Sequence, residues 1–171
     1  MDIACYLGPS YIAGVIYSGG GILSLALSIE TIPEAFLPLM EYALSTDANV
    51  IARFAPTFVD GCVADPAVLP WAAKLQWMGA FAAQPPEVRS WSFNRAQDVT
   101  KWQKEARGWP VLLIQGASDT HCRADVLVKQ AKDAYTDVTV HVLEGVGHSP
   151  HLERADTVNR LLLQFIETKR Q

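Results

Sequence analysis

The pattern of apolar and polar residues begins with a short apolar run, Ile12–Tyr17, that stops at three consecutive glycines, residues 19–21. A run of this length that ends in glycines predicts a buried strand. The stretch that follows, residues 22–108, has almost no strand pattern. Its apolar residues recur at the three- and four-residue spacing of a helix, as at Phe36, Leu39, Met40 and Ala43. We therefore predict one strand followed by a long helical segment.

Prolines and tryptophans predict how this helical segment is divided and what its aromatic side chains contact. The prolines at positions 33, 38, 56, 66, 70, 85 and 86 predict that it is cut into short pieces, because a proline removes a backbone donor and ends or kinks a helix. Trp71, Trp77, Trp91 and Trp102 lie in the segment or at its edge. Their rings either pack the short helices onto the rest of the fold or line an apolar pocket.

The last third of the chain is its most regular part. Pro110–Gly116 is an apolar run that ends at glycine, and Val138–Leu143 is rich in β-branched residues, so both predict strands. A helix is predicted over residues 124–135 and an amphipathic helix over residues 152–169. Strand, helix, strand and helix with short connections are typical of a parallel sheet covered by helices, so the fold class is α/β.

Composition narrows the classes of partner. The 171 residues suit one domain, carry a formal net charge of −4 and are 50% apolar. No basic excess is available to hold a phosphate backbone, so we expect no nucleic-acid partner. No apolar run reaches the ~18 residues that span a bilayer, and no cationic segment opens a signal peptide. We therefore expect no membrane partner and a cytoplasmic location.

The cysteines and histidines form no metal-binding motif along the chain. Cys5, Cys62 and Cys122 are scattered and unpaired in the sequence, which argues against a disulfide framework and against a thiolate zinc site. His148 and His151 are close in sequence, but no cluster of carboxylates or cysteines supports a metal there. We expect no metal and no cofactor.

Chemistry-bearing residues follow both of the later strands. Asp119 follows the strand at 110–116, and His148 follows the strand at 138–143. Since ligands sit beyond the carboxyl ends of parallel strands, we expect the two residues at one edge of the sheet. A carboxylate bonded to one imidazole nitrogen fixes the tautomer, which leaves the other nitrogen to act as a general base. The alternatives are that Asp119 caps a turn or helix and that His148 bonds only nearby backbone.

Three neighbouring residues are given structural interpretations. His121 lies two residues after Asp119 and could reach the mouth of the site, but it is predicted to be a surface loop histidine. His141 lies inside the predicted strand and is interpreted as structural or exposed. Cys122 is near the acid and is interpreted as incidental.

The two loops and their strands resemble segments of the α/β-hydrolase family. Residues 110–119 are similar to the strand that delivers the family's catalytic acid, and residues 143–153 are similar to its histidine loop and final helix. The order of acid then histidine also fits the family. The resemblance implies that residues 1–171 are a partial, C-terminal α/β-hydrolase domain. It has a short parallel sheet, flanking helices and a helical cap inserted over residues 22–108.

The family's nucleophilic serine has no clear counterpart. It sits in Gly-x-Ser-x-Gly at a sharp turn between a strand and a helix, and the nearest match, residues 16–20 around Ser18, has isoleucine in place of the first glycine. Too few residues precede Ser18 for the oxyanion loop, and no further strand is predicted before the helical segment. We expect that Ser18 is not the nucleophile and that the serine lies upstream. The strand at 12–17 would then expose an edge that could mediate self-association.

Two functions follow from the resemblance. In complete form the protein would cleave an ester or similar bond of a small, apolar substrate by acyl transfer through a Ser-Asp-His triad. His148 would be the base and Asp119 would orient it. The alternative is a catalytically inactive fragment, or a remnant that binds a small molecule. A relative that uses an aspartate nucleophile, as in dehalogenases, is also conceivable, but that residue would lie upstream too.

Overall fold

The computed structural model describes residues 9–21, 25–94 and 99–169. Three parallel strands form one sheet in the order β1-β2-β3, with β1 at Val15–Ser18, β2 at Pro110–Gly116 and β3 at Asp137–Leu143. This confirms the α/β class and the positions of β2 and β3. β1 is shorter than predicted, because it begins at Val15, and it includes Ser18.

Helices fill the connections between the strands and follow the last strand. In the part of the chain that the structure describes, six α-helices lie between β1 and β2, one lies between β2 and β3, and two follow β3. Their bounds are α1 Leu25–Glu30, α2 Met40–Ala43, α3 Ala48–Asp60, α4 Trp71–Ala83, α5 Pro86–Asn94, α6 Thr100–Glu105, α7 Ala124–Ala134, α8 Pro150–Glu153 and α9 Ala155–Lys169. None of the helices in the described ranges combines the length and apolarity that crossing a bilayer requires. We refer to α1 to α6 as the inserted helices.

The central strand β2 carries the core. Residues 111–116 are buried, as expected for a parallel strand covered on both faces. On one face Val111 and Leu113 pack into a cluster formed largely by α6 and α7. On the other face Leu112 and Ile114 pack against α9. The continuous apolar run of β2 therefore reflects burial on two sides.

The helix α3 runs through a proline that we expected to interrupt it. Pro56 lies inside Ala48–Asp60, so the prediction that every proline cuts the segment is wrong at this position. A proline costs a helix one hydrogen bond and some strain. Here the buried face of the helix, which continues to Val59 on the far side of the proline, offsets that loss.

A buried arginine joins the inserted helices to one another. Arg89 in α5 is 3% exposed. Its guanidinium donates to the carbonyl of Ala43 at 2.9 Å, to that of Phe81 at 3.2 Å and to that of Ser45 at 3.3 Å, and also to the carbonyl of Gln84. These carbonyls lie at or near the ends of α2 and α4, where helices leave acceptors unsatisfied. Arg89 thereby satisfies helix ends and holds three helices together.

The tryptophans divide into packed and exposed residues. Trp102 is 3% exposed and belongs to the cluster beneath β2, and Trp77 packs against a second cluster within the inserted helices. Trp71 and Trp91 are 67% and 63% exposed. The packing alternative therefore describes Trp77 and Trp102.

We expect Leu113→Ala to lower the free energy of unfolding by about 2–5 kcal/mol, because Leu113 is fully buried in β2 and truncation leaves a cavity. The matched control is Leu163→Ala in α9, where the side chain is 60% exposed and the effect should stay within about 0.5 kcal/mol. Urea unfolding followed by circular dichroism measures both. Similar losses in the two variants would contradict the assignment of β2 as the central buried strand.

Candidate active site

Two loops at the carboxyl edge of the sheet carry the candidate residues. The acid loop, residues 117–123, follows β2, and the histidine loop, residues 144–149, follows β3. The loops continue to pair after the strands end, because the backbone N–H of Ser118 donates to the carbonyl of Val146 at 2.9 Å. The register of β2 and β3 therefore sets the distance between the two loops.

Two glycines and the carboxylate of Glu153 allow the backbone at Ala64 to approach this edge of the sheet. A Cβ on Gly116 would lie 2.1 Å from the carbonyl oxygen of Gly147, and one on Gly147 would lie 2.5 Å from the backbone nitrogen of Ala64. Glu153 accepts from the N–H of Gly147 with Oε1 and from the N–H of Ala64 with Oε2, both at 2.8 Å. The histidine loop is thus fixed to both the acid loop and the connection between α3 and α4.

Asp119 and His148 meet in the hydrogen bond that sequence analysis predicted. Nδ1 of His148 lies 2.9 Å from Oδ2 of Asp119, and the side chains are 27% and 0% exposed. A carboxylate only accepts, so Nδ1 carries the proton and Nε2 is left for other chemistry. Oδ1 of Asp119 also accepts from the N–H groups of His121 and Cys122 at 2.7 and 2.9 Å, and Oδ2 accepts from Nε2 of Gln115 at 2.5 Å.

Gln115 and Glu153 are positioning residues that sequence reasoning missed. Gln115 is fully buried at the end of β2 and connects two parts of the site. Its Nε2 donates to Asp119, and its Oε1 accepts from the N–H of Gly20 at 2.9 Å. The available signals were a polar residue at the end of an otherwise apolar strand and an acid shortly after the histidine.

The two candidate residues shift each other's ionisation. Burial lowers the pKa of His148, but its hydrogen bonds to Asp119 and Cys122 and the charges of both groups outweigh burial and raise the pKa to about 10. Burial raises the pKa of Asp119, yet the hydrogen bond and charge of His148, with two backbone donors, bring it below its usual range. The carboxylate–imidazolium pair is therefore favoured at neutral pH.

This pairing also links the stability of the fold to pH. The folded pKa of His148 lies above the value of roughly 6.5 expected for an unfolded chain. Its contribution to stability is therefore complete below about pH 6.5 and is lost as the pH rises through the folded value of about 10. The same proton has to leave before His148 can act as a base, so base activity should increase across this range.

His121 is buried, and the prediction that it is a surface histidine is wrong. Its side chain is 6% exposed, and its ring lies 4.7 Å from Phe36, 4.9 Å from Phe58 and 4.9 Å from His148 between ring centroids. Burial, together with the charge of His148, outweighs the attraction of Asp119 and lowers the pKa of His121 to about 4. The neutral ring therefore behaves as an aromatic wall beside His148.

Cys122 also lies at the site, near the acid as its position in the sequence indicated. Its sulfur and one donor atom each from Asp119 and His148 all lie within 4.8 Å of one another. Gly20 makes room for this arrangement, because a Cβ there would lie 2.8 Å from Sγ of Cys122 and 3.1 Å from Cε1 of His148. Its proximity to the histidine could not be predicted, because nothing in the linear sequence pairs the two residues.

Ser18 occupies a strand position rather than a turn. Its Cα pairs with that of Ile114 in β2, and paired residues of parallel strands direct their side chains to the same face. Ile114 packs against α9, so Ser18 lies on the face of the sheet that α9 covers. Nδ1 of His148 is hydrogen-bonded to Asp119, and among the described residues no hydrogen bond joins His148 to this serine.

Parallel strands that end in an acid loop and a histidine loop define an α/β protein with the acid–histidine pair typical of hydrolases. The sequence matches the model of the alpha/beta hydrolase family over residues 2–161. The chain belongs to this family, which confirms the resemblance seen in the sequence. Among curated proteins, none matches the sequence.

Solved structures show the same fold. An esterase from Rhodococcus sp. ECU1013 is 21% identical with a TM-score of 0.80, over 96% of this chain and 59% of its own. A bromoperoxidase from Bacillus anthracis is 18% identical with a TM-score of 0.74, over 97% and 62%. An esterase from Exiguobacterium antarcticum is 12% identical with a TM-score of 0.72, over 97% and 61%. The chain thus spans about 60% of the length of these structures.

We expect Asp119→Asn to lower the pKa of His148 clearly below its value of about 10. The substitution removes the negative charge and the charged hydrogen bond, while burial, which opposes the imidazolium, remains. The control is Asp125→Asn in α7, where the side chain is 80% exposed and pairs with Arg123. NMR titration of the imidazole protons measures the change. A pKa of His148 that is the same in both variants would contradict the pairing.

We expect Gly20→Ala to be more destabilising than Gly21→Ala. Both glycines have positive φ, 96° and 58°, but only a Cβ at Gly20 meets Cys122 and His148, since none of the described residues lies within 4 Å of one at Gly21. The left-handed backbone should cost roughly 1–2 kcal/mol in each variant, and the steric overlap should add about 1–3 kcal/mol at Gly20 alone. Urea unfolding gives the difference, and equal losses would show that the close approach is absent.

Proposed function

We propose that this chain supplies the acid and the base of a hydrolase that cleaves an ester or a similar bond by acyl transfer. The observation that carries the proposal is the 2.9 Å hydrogen bond between Nδ1 of His148 and the fully buried Asp119. In this arrangement Asp119 orients the ring and stabilises the imidazolium, and Nε2 of His148 takes the proton of the nucleophile. His148 is partly exposed, so a substrate can reach it.

The proposal takes the nucleophile from a polypeptide segment that this sequence does not contain. Ser18 lies on the face of the sheet covered by α9 and is not bonded to His148. The chain also spans only about 60% of the length of the similar structures. Both facts support a triad of which Asp119 and His148 are two members.

The surroundings of His148 support a small, apolar substrate. The ring of His121 lies against His148, and the apolar rings of Phe36 and Phe58 pack against His121 in turn. Phe36 and Phe58 belong to the segment 22–108, which we propose to act as the cap over the site. The esterases from Rhodococcus and Exiguobacterium support an ester as the bond cleaved. Acyl transfer of this kind requires no cofactor.

A second candidate is a catalytically inactive chain that keeps the fold and binds a small molecule. For the chain by itself, the position of Ser18 favours this second candidate, because no hydrogen bond joins the serine to His148 in the part of the chain that the structure describes. Among the described residues β1 is an outer strand of the sheet, and Ile16 in it is 38% exposed. An outer strand of this kind offers its free edge to another strand, and we propose that self-association or a missing segment uses it.

Hydrolysis of p-nitrophenyl acetate by the purified chain between pH 7 and 10 tests the proposal. The variants are His148→Ala, Asp119→Asn and Ser18→Ala, and His151→Ala is the control for hydrolysis by any accessible imidazole. We expect the chain alone to show no activity above His151→Ala. When the chain is extended upstream by a segment that contains Gly-x-Ser-x-Gly, activity should rise with pH and fall at least about 100-fold in His148→Ala.

Each result decides between the candidates. Activity of the chain alone that is lost in both Ser18→Ala and His148→Ala would make Ser18 the nucleophile and overturn the proposed division of the triad. If the extended protein folds but remains inactive, the result would support the second candidate, an inactive chain that binds a small molecule. Activity in the extended protein that is unchanged by His148→Ala would refute the role of His148 as base.

A further inference from the structure

We propose that Asp119, Cys122 and His148 form a binding site for a soft divalent cation of the Zn²⁺ class. A carboxylate oxygen, a sulfur and an imidazole nitrogen lie within 4.8 Å of one another. Zinc bonds of about 2.0–2.3 Å place the donors of a tetrahedral site roughly 3.3–3.8 Å apart. Small movements of these side chains therefore bring all three donors onto one ion.

The backbone holds two of the three ligands on a single turn. The N–H of Cys122 donates to Oδ1 of Asp119 at 2.9 Å, and the N–H of His121 donates to the same atom at 2.7 Å. Nε2 of Gln115 donates to Oδ2. Hydrogen bonds around a ligand fix its orientation and strengthen metal binding. The carboxylate and the thiol are thus presented from a rigid loop, and the histidine comes from the neighbouring one.

Gly20 leaves open the side of the cluster that an ion needs. A Cβ at this position would lie 2.8 Å from Sγ of Cys122 and 3.1 Å from Cε1 of His148, so it would fill the space in front of both groups. The backbone at Gly20 also has a φ of 96°, which side-chain-bearing residues rarely adopt. His148 is 27% exposed and gives access from solvent.

The donor set selects the class of cation. Sulfur and nitrogen donors with one carboxylate suit Zn²⁺ and similar ions. Mg²⁺ and Ca²⁺ prefer oxygen ligands throughout, and two of the three donors in this cluster are sulfur and nitrogen. Three protein ligands leave a fourth position for water or another small ligand.

Binding at this cluster opposes the proposed hydrolysis. The cation takes a ring nitrogen of His148 and an oxygen of Asp119, which replaces their direct hydrogen bond. A chain loaded with metal therefore lacks the base that acyl transfer requires, and the cation acts as an inhibitor. The metal site itself does not depend on the proposed function, because binding is measured without any substrate.

Titration of the full chain with Co²⁺, a spectroscopic substitute for Zn²⁺, tests the site. We expect one Co²⁺ per chain, with the near-ultraviolet absorption band of a cobalt–thiolate bond, and displacement by Zn²⁺. Cys122→Ser should abolish the band, and His148→Gln should weaken Co²⁺ binding roughly 100-fold or more, beyond the effect of losing an outer hydrogen bond. The control Cys62→Ser removes a buried thiol outside the cluster and should keep the band.

Circular dichroism establishes that each variant is folded before it is titrated. A chain that binds no Co²⁺, or binds it without the thiolate band, overturns the proposal. A band that survives Cys122→Ser, or that disappears in Cys62→Ser or Cys5→Ser instead, also overturns it. If Cys122→Ser does not fold, the affinity of His148→Gln decides. If Zn²⁺ leaves the rate of hydrolysis by the extended protein unchanged, metal binding does not inhibit the reaction, and the inhibitory role is refuted.

Discussion

The buried carboxylate of Asp119 is the group around which the site is organised. Its side chain has no exposed surface, and an uncompensated charge in such a place would cost several kcal/mol. Among the described residues, one amide, two backbone N–H groups and one imidazole donate to it. These donors come from β2, from the acid loop and from the histidine loop. Satisfying this one carboxylate therefore fixes three chain segments relative to one another.

The inserted helices are connected to the same group. The backbone N–H of His121 donates to Asp119, and the neutral ring of His121 packs against Phe58 and His148. Glu153 adds a second connection, since it bonds the backbone of both the histidine loop and Ala64, between α3 and α4. A displacement of the inserted helices consequently changes the environment of His148. This coupling gives the helical segment a physical means of controlling the chemistry that we propose for the site.

Local pattern was sufficient for the regular elements and for the acid–histidine pair. β2 and β3 were predicted because periodicity and β-branched composition are properties of short segments, and the parallel arrangement followed from their alternation with helices. Asp119 and His148 were predicted to meet because parallel strands end at one edge. Pro56 and His121 were misjudged for the opposite reason. Whether a helix tolerates a proline, or a loop histidine is buried, depends on packing against residues distant in the chain.

The sequence by itself determined the family, the parallel sheet, and the pair Asp119 and His148, each of which follows the end of a strand. Only the tertiary structure decided what surrounds them. Gln115, Cys122 and Gly20 reach His148 or its partner through turns and close backbone approach. Hydrogen bonds and van der Waals contacts of this kind act over a few ångströms between residues far apart in sequence. They leave no periodic trace along the chain, so no reading of the sequence pattern could bring these residues together.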